Sequence, residues 1–181
     1  MMQRKQRKNI ELSIWKCKEM IRYAHILTDS IVDGFGIRVV VFLQGCEWDC
    51  EGCHNPHLFP MDEGIEIDEI EFAKKIIKKL NPMHSGITFS GGDPILQSEK
   101  LFTVIEYIRR KRPKINIWLY TGFLYKDIKD LPLMEEIDVL VDGPFVLKEK
   151  DIALRFRGSA NQRIIDVKES LKENKEILLK I

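Results

Sequence analysis

Four short apolar runs alternate with helix-patterned segments along the chain, and each run stops at a glycine-bearing loop, an order that admits few folds. "IRVVVFLQG" is a β-branched run closed by a glycine, and "GITFSGG", "INIWLYTG" and "IDVLVDG" repeat the pattern. Between them, "DEIEFAKKIIKKL" sets Ile70, Ala73, Ile77 and Leu80 at helical spacing, with Asp68 suited to start the helix and lysines in its last turns. "QSEKLFTVIEYIRRKR" puts Leu101, Val104, Ile105 and Ile108 on one face before Pro113 closes it. The segment from Tyr125 to Met134 is a poorer helix. This alternation predicts an α/β fold, a mostly parallel sheet with crossover helices, arranged as an open sheet or a partial (β/α) barrel. Four such strands are too few for a closed eight-stranded barrel. In these architectures sites form from loops at the carboxyl ends of the strands. Here those loops read "QGCEWDCEGC", "SGGDP", "YTG" and "VDGPF".

A length of 181 residues suits one domain with a hydrophobic core of its own. Charges nearly cancel, to a formal +1, so nothing in the bulk electrostatics points to nucleic acid. The one basic run, "RKQRK" at residues 4–8, has no aromatic interleaving and reads as a solvated terminus. The residues after it carry charges every few positions, and the longest apolar run, Val39 to Leu43, is too short to span a bilayer. A cytosolic protein is expected, and in that compartment clustered cysteines are metal ligands or catalytic groups rather than disulfides.

Three of the four cysteines, Cys46, Cys50 and Cys53, fall in a CxxxCxxC loop. That spacing lets three thiolates converge on one inorganic centre. A cubane four-iron cluster so held keeps one iron free of a protein ligand, as a catalytic zinc site keeps an open position. The alternative is a structural zinc site completed by His54 or His57, although neither matches the paired spacings of zinc modules. Cys17 is either a fourth ligand or, by the burial habit of a lone cysteine, a small buried residue.

The loop "GCEWDCEGCHNP" resembles the cluster loop of the radical S-adenosylmethionine superfamily. With "DSIVDGFGIRVVVFLQGC", "GITFSGGDP", "WLYTG", "VDGPF" and "RFRGSANQRIIDV", the chain resembles the activating enzymes of anaerobic ribonucleoside-triphosphate reductase, from about Tyr23 to Val167. The resemblance implies a single radical S-adenosylmethionine domain over residues 23–181 of partial-barrel type, after an N-terminal extension over residues 1–22. It implies that Cys46, Cys50 and Cys53 hold a 4Fe-4S cluster whose open iron takes the amino and carboxylate groups of S-adenosylmethionine. An electron through the cluster would then release a 5'-deoxyadenosyl radical.

By the same resemblance, Gly52 stands where many superfamily members carry an aromatic residue, so the backbone of Gly52, Cys53 and His54 is the expected adenine contact. "SGGDP" corresponds to the segment that binds the methionine amino group, with Ser90, Gly91 and Gly92 allowing close backbone approach and Asp93 able to accept from the ammonium. Tyr120 falls at the nucleoside pocket, or is a core aromatic with its hydroxyl satisfied at the rim. Asp142 lies at the mouth by the strand pattern, or belongs to an Asp-Gly turn. "DGFGIR" resembles a DGPGIR loop near the substrate peptide, with Phe35 in place of proline and Gly34, Gly36 and Arg38 retained. The segment "RGSANQR", from Arg157 to Arg163, suits a loop contacting cofactor or partner, or a solvated surface loop. Trp48 shields the cluster or faces the partner.

The activity so implied is an oxidoreductase that abstracts a hydrogen from a glycine of the reductase, leaving a glycyl radical there, with a low-potential electron donor such as a flavodoxin. Neither membrane nor nucleic acid enters this reading. The alternatives are an activase for another glycyl-radical enzyme, such as pyruvate formate-lyase, a small radical enzyme acting on a free metabolite, and a zinc-stabilised binding module.

Overall fold

The computed structural model describes residues 20–181; Cys17 and the basic run lie outside them. Seven strands form one sheet: β1 (Met20–Ser30), β2 (Ile37–Leu43), β3 (Ile65–Asp68), β4 (His84–Gly91), β5 (Asn116–Tyr120), β6 (Val139–Asp142) and β7 (Arg163–Asp166). Their order is β3-β1-β2-β4-β5-β6-β7, so the sheet is open, with β3 and β7 at its edges. The four predicted strands are its centre, β2, β4, β5 and β6, and each pairs in parallel with the next.

Three further strands were not expected. β1 pairs antiparallel with both β2 and β3, and β7 pairs antiparallel with β6. β1 takes up part of the region read as an N-terminal extension, since Met20, Ile21 and Arg22 already pair with Asp68, Ile67 and Glu66. Its inner half buries Ile21 and Tyr23 on one face while Leu27 is exposed, a pattern that does not separate strand from amphipathic helix over a short window. β3 ("IEID") and β7 ("RIID") have four residues each, mix charged with apolar side chains and are not followed by a glycine.

Helices α1 (Glu69–Lys79), α2 (Ser98–Lys111), α3 (Tyr125–Ile128) and α4 (Val167–Glu173) connect or follow the strands. Asp68 caps α1 as predicted, accepting from the amides of Ile70 and Glu71. Its buried stripe is rotated from the expected one: Phe72, Ala73 and Ile76 are buried, and Ile77 and Leu80 pack at the margin. The α2 stripe is as predicted, with Leu101, Val104, Ile105 and Ile108 fully buried, each worth about 1.5–3 kcal/mol of apolar burial. The poor helix resolves into α3 and a 3-10 turn over Pro132–Glu136.

Strand alternation sorts the sheet into two faces. Val41, Leu43, Ile87, Phe89, Ile117, Leu119, Leu140 and Ile165 meet α1 and α2 in the main core. Trp118, Val139, Val141 and Ile164 form a smaller cluster of their own. Arg38, also buried, sits beside Trp118, with its guanidinium carbon 5.4 Å from the ring centroid. Nε donates to Thr88 Oγ1 (2.7 Å), one terminal nitrogen to Phe35 O and Asn116 Oδ1, and the other to Ile87 O and Asn116 O. All five guanidinium donors are thus engaged inside the protein. Arg38 therefore anchors the "DGFGIR" loop from below, and has no donor left for a substrate peptide.

Candidate functional site

The loops after β2, β4, β5 and β6 open on one cleft of about 810 Å³, a size suited to a small-molecule cofactor. Cys46, Cys50 and Cys53 line it, together with His54, Ser90, Gly91, Gly92, Asp93 and Tyr120. The structure thus brings every predicted site residue except Gly52 to the same wall-and-floor arrangement at the carboxyl ends of the parallel strands.

The cysteine loop is held at both ends. Gly45 N and Cys46 N donate to Leu58 O and Phe59 O, closing the loop on its own exit, and Cys53 N donates to Cys50 O in a tight turn. Gly52 sits in that turn with φ +73°, which favours glycine; its neighbour across space is only the flexible end of Leu147. Asn55 N points at Cys53 Sγ, 3.4 Å away. Burial pushes the Cys46 and Cys50 thiols up, so a bound metal has to supply the charge that deprotonates them. His54 lines the cleft with the three cysteines, whereas His57 does not. Three thiols spaced along one loop and facing one cleft are a donor set that fits an iron-sulfur cluster.

The glycine pair of "SGGDP" serves a close backbone crossing. Gly92 N donates to Leu43 O and Asp93 N to Gly45 O (2.7 Å), which ties the end of β4 to the start of the cysteine loop. A Cβ on Gly91 would lie 2.4 Å from Leu43 O, and one on Gly92 would lie 2.1 Å from Gly45 O. Asp93, 1% exposed, accepts from Ile95 N, Trp48 Nε1 (2.7 Å), Gly122 N (2.9 Å) and Thr121 Oγ1. Burial raises its pKa, and the hydrogen bonds from Gly122, Thr121, Ile95 and Trp48 oppose that shift.

Profile comparison matches residues 32–165 to the 4Fe-4S single cluster domain. The protein of Enterobacteria phage T4 named anaerobic ribonucleoside-triphosphate reductase-activating protein is 32% identical over 80% of this chain and 93% of its own length. Those of the same name in Haemophilus influenzae and Vibrio cholerae are 32% and 36% identical, over 80% and 75% of this chain and 97% and 91% of their own lengths. The chain belongs to the anaerobic ribonucleoside-triphosphate reductase-activating protein family. Among solved structures, QueE from Escherichia coli aligns with a TM-score of 0.46 at 11% identity, over 57% of this chain and 53% of that one.

Within this family member, several residues of the sequence motifs hold the cleft together. Tyr120 donates from its hydroxyl to Phe156 O (2.8 Å), and burial raises its pKa far above the usual range. Asp142, fully buried, takes Arg163 Nε (2.9 Å) and a terminal Arg163 nitrogen (2.5 Å), and Tyr125 N as well. The motifs "VDGPF" and "RGSANQR" are therefore partners of each other. Gln162 extends the junction: its Oε1 accepts from Gly158 N and Ser159 N, and its Nε2 donates to Gly143 O. Arg157, Gly158 and Gln162 reach the cleft; Asp142 does not line it.

Sequence reasoning missed the apolar mouth. Ile31 and Val32, 70% and 69% exposed, line it on the loop after β1, and Ile152, 94% exposed, lines it on the loop after β6. Arg155, which also lines the cleft, lies over the rings of Phe35 and Phe156. Large apolar side chains in a loop were the available signal, and only their exposure gives them meaning. Among the described residues no helix is long and apolar enough to cross a membrane.

Proposed function

We propose that the cleft binds a 4Fe-4S cluster through Cys46, Cys50 and Cys53, with S-adenosylmethionine beside it, and that the protein generates a glycyl radical on anaerobic ribonucleoside-triphosphate reductase. The observation that carries this reading is that the three cysteines and the glycine-rich end of β4 open on one cleft. So loaded, the site supplies reductive cleavage of the sulfonium and removal of a hydrogen from a glycine α-carbon of the reductase.

The chain's own contribution is positioning and exclusion of water. Three thiols leave a coordination position for the cofactor's amino and carboxylate groups. The backbone of Gly52 to His54 suits an adenine edge, and the strand end at Ser90 to Gly92 presents main-chain groups to the methionine portion. Tyr120 offers its ring to the nucleoside, since its hydroxyl is committed to Phe156 O. Phe42, Phe59, Phe145 and Phe156 give the cleft apolar walls. The exposed Ile31, Val32 and Ile152 at the mouth suit contact with a protein partner. We read the open sheet as the partial barrel of the radical S-adenosylmethionine superfamily, residues 23–181 as its single domain, and the protein as cytosolic, with a low-potential donor such as a flavodoxin.

Anaerobic reconstitution tests the reading. The full-length chain is expected to take up about four iron and four sulfide and to cleave S-adenosylmethionine when reduced. Cys50→Ala is expected to lose both properties, because two thiolates do not hold the cubane. A colourless protein carrying one zinc and no sulfide, or a Cys50→Ala variant that still cleaves the cofactor, contradicts it.

A further inference from the structure

Asp93 has no acceptor site to spare. An ionised carboxylate offers about four lone-pair positions, and four donors already point at Asp93: Ile95 N, Trp48 Nε1, Gly122 N and Thr121 Oγ1, the last within 2.8–2.9 Å of both oxygens. The donors come from three separate loops. Ile95 belongs to the loop after β4, Thr121 and Gly122 to the loop after β5, and Trp48 to the cysteine loop, between Cys46 and Cys50. Trp48 is seated on Gly122 so closely that a Cβ there would lie 2.4 Å from its Nε1, and its ring meets Phe123 edge-on at 5.1 Å. The indole is thus fixed at its nitrogen, along one face and at its edge.

We infer that Asp93 is a positioning residue, which latches the cysteine loop through Trp48 to the β4 and β5 loops, rather than an acceptor for the cofactor's ammonium. The inference rests on the proposed cofactor site for its functional meaning, but the latch itself belongs to the protein before any cofactor binds. Trp48 gains the role that the sequence left open: it braces the loop that carries the ligands, from the side of the cleft. The glycine at 122 is required because the indole occupies the space of a side chain.

Two measurements on the full-length chain separate the latch from a direct ligand role. In the first, Cys46, Cys50 and Cys53 are alkylated with iodoacetamide anaerobically before reconstitution, and the rates are followed by mass spectrometry. Trp48→Phe keeps an aromatic ring but removes the donor. Gly122→Ala crowds the indole while retaining the amide that donates to Asp93. Both are expected to raise the alkylation rates of Cys46 and Cys50 roughly tenfold, the scale set by loss of one charge-assisted hydrogen bond. Asp93→Asn is expected to do the same, and Trp48→Phe combined with Asp93→Asn is expected to add nothing to either alone. Unchanged rates in Trp48→Phe and Gly122→Ala, each shown to be folded by far-UV circular dichroism, overturn the latch.

In the second, S-adenosylmethionine affinity is measured on the reconstituted protein. The latch predicts similar losses for Trp48→Phe and Asp93→Asn. Loss in Asp93→Asn alone, with wild-type affinity in Trp48→Phe, assigns the carboxylate to the ammonium and overturns the inference. Because the alkylation readout precedes any cofactor, failure of the whole cofactor reading would leave it intact and is recognised separately.

Discussion

Arg38 carries a charge into the protein interior without a carboxylate to pair it, and its five donors go instead to three main-chain carbonyls, a threonine hydroxyl and an asparagine side chain. Burial lowers its pKa to about 10, which still leaves it charged near neutral pH. The folded-state pKa lies below the unfolded one, so the cost of the buried charge is present in full below pH 10 and is relieved only as pH rises beyond that value. Arg38→Lys keeps the charge but offers three donors for five acceptors, and is expected to cost about 2–3 kcal/mol in chemical denaturation. A denaturation midpoint equal to that of the parent would show that the fork of hydrogen bonds does not hold the loop. At this scale the sequence named the right residue for a different reason. "DGFGIR" suggests a cation near a substrate, whereas the partners at Thr88 and Asn116 are 50 and 78 residues away and cannot be read from the loop.

Elements were legible where their pattern was long. The α2 stripe follows from periodicity over 14 helical residues, and the four central strands from β-branched or aromatic runs that end at glycine-bearing loops and alternate with helices. The α1 stripe is shifted because Phe72 and Ile76 outweigh Ile70 and Ile77 in filling the space beside Tyr23, whose ring lies 4.5 Å from that of Phe72. The edge strands β3 and β7 were hidden because "IEID" and "RIID" mix charged with apolar residues and no glycine follows either, so their pairing is decided by neighbours. β7 is fastened by the Asp142–Arg163 pair, in which the carboxylate is fully buried and the guanidinium partly exposed. Arg163→Ala strands that carboxylate. The expected loss is about 2–3 kcal/mol, discounted for the exposure of Arg163, with early loss of hydrogen-exchange protection in β7. Protection of β7 equal to that of β5 in this variant would mean that strand pairing alone suffices.

At the scale of the molecule, one open sheet gathers the loops after β2, β4, β5 and β6, and the three cysteines and the glycine-rich strand end meet there. The parallel centre aligns the carboxyl ends of β2, β4, β5 and β6, so that residues spaced along a hundred positions of chain share one cleft. The cysteines, the glycine-rich strand end and Tyr120 were visible as motifs, since each interrupts its pattern with residues that a core does not need. The Asp93–Trp48 contact and the exposed rim of Ile31, Val32 and Ile152 were not, because they depend on which loops become neighbours. The rim gives the cleft an exposed apolar edge.

Electron paramagnetic resonance of the partner tests the central claim most directly. The reconstituted full-length protein, reduced anaerobically with S-adenosylmethionine and mixed with its cognate anaerobic ribonucleoside-triphosphate reductase, is predicted to produce a stable glycyl-radical signal on the reductase, and the Cys50→Ala protein none. A reductase that stays silent while S-adenosylmethionine is cleaved normally, or a signal of equal size with Cys50→Ala, would contradict the account.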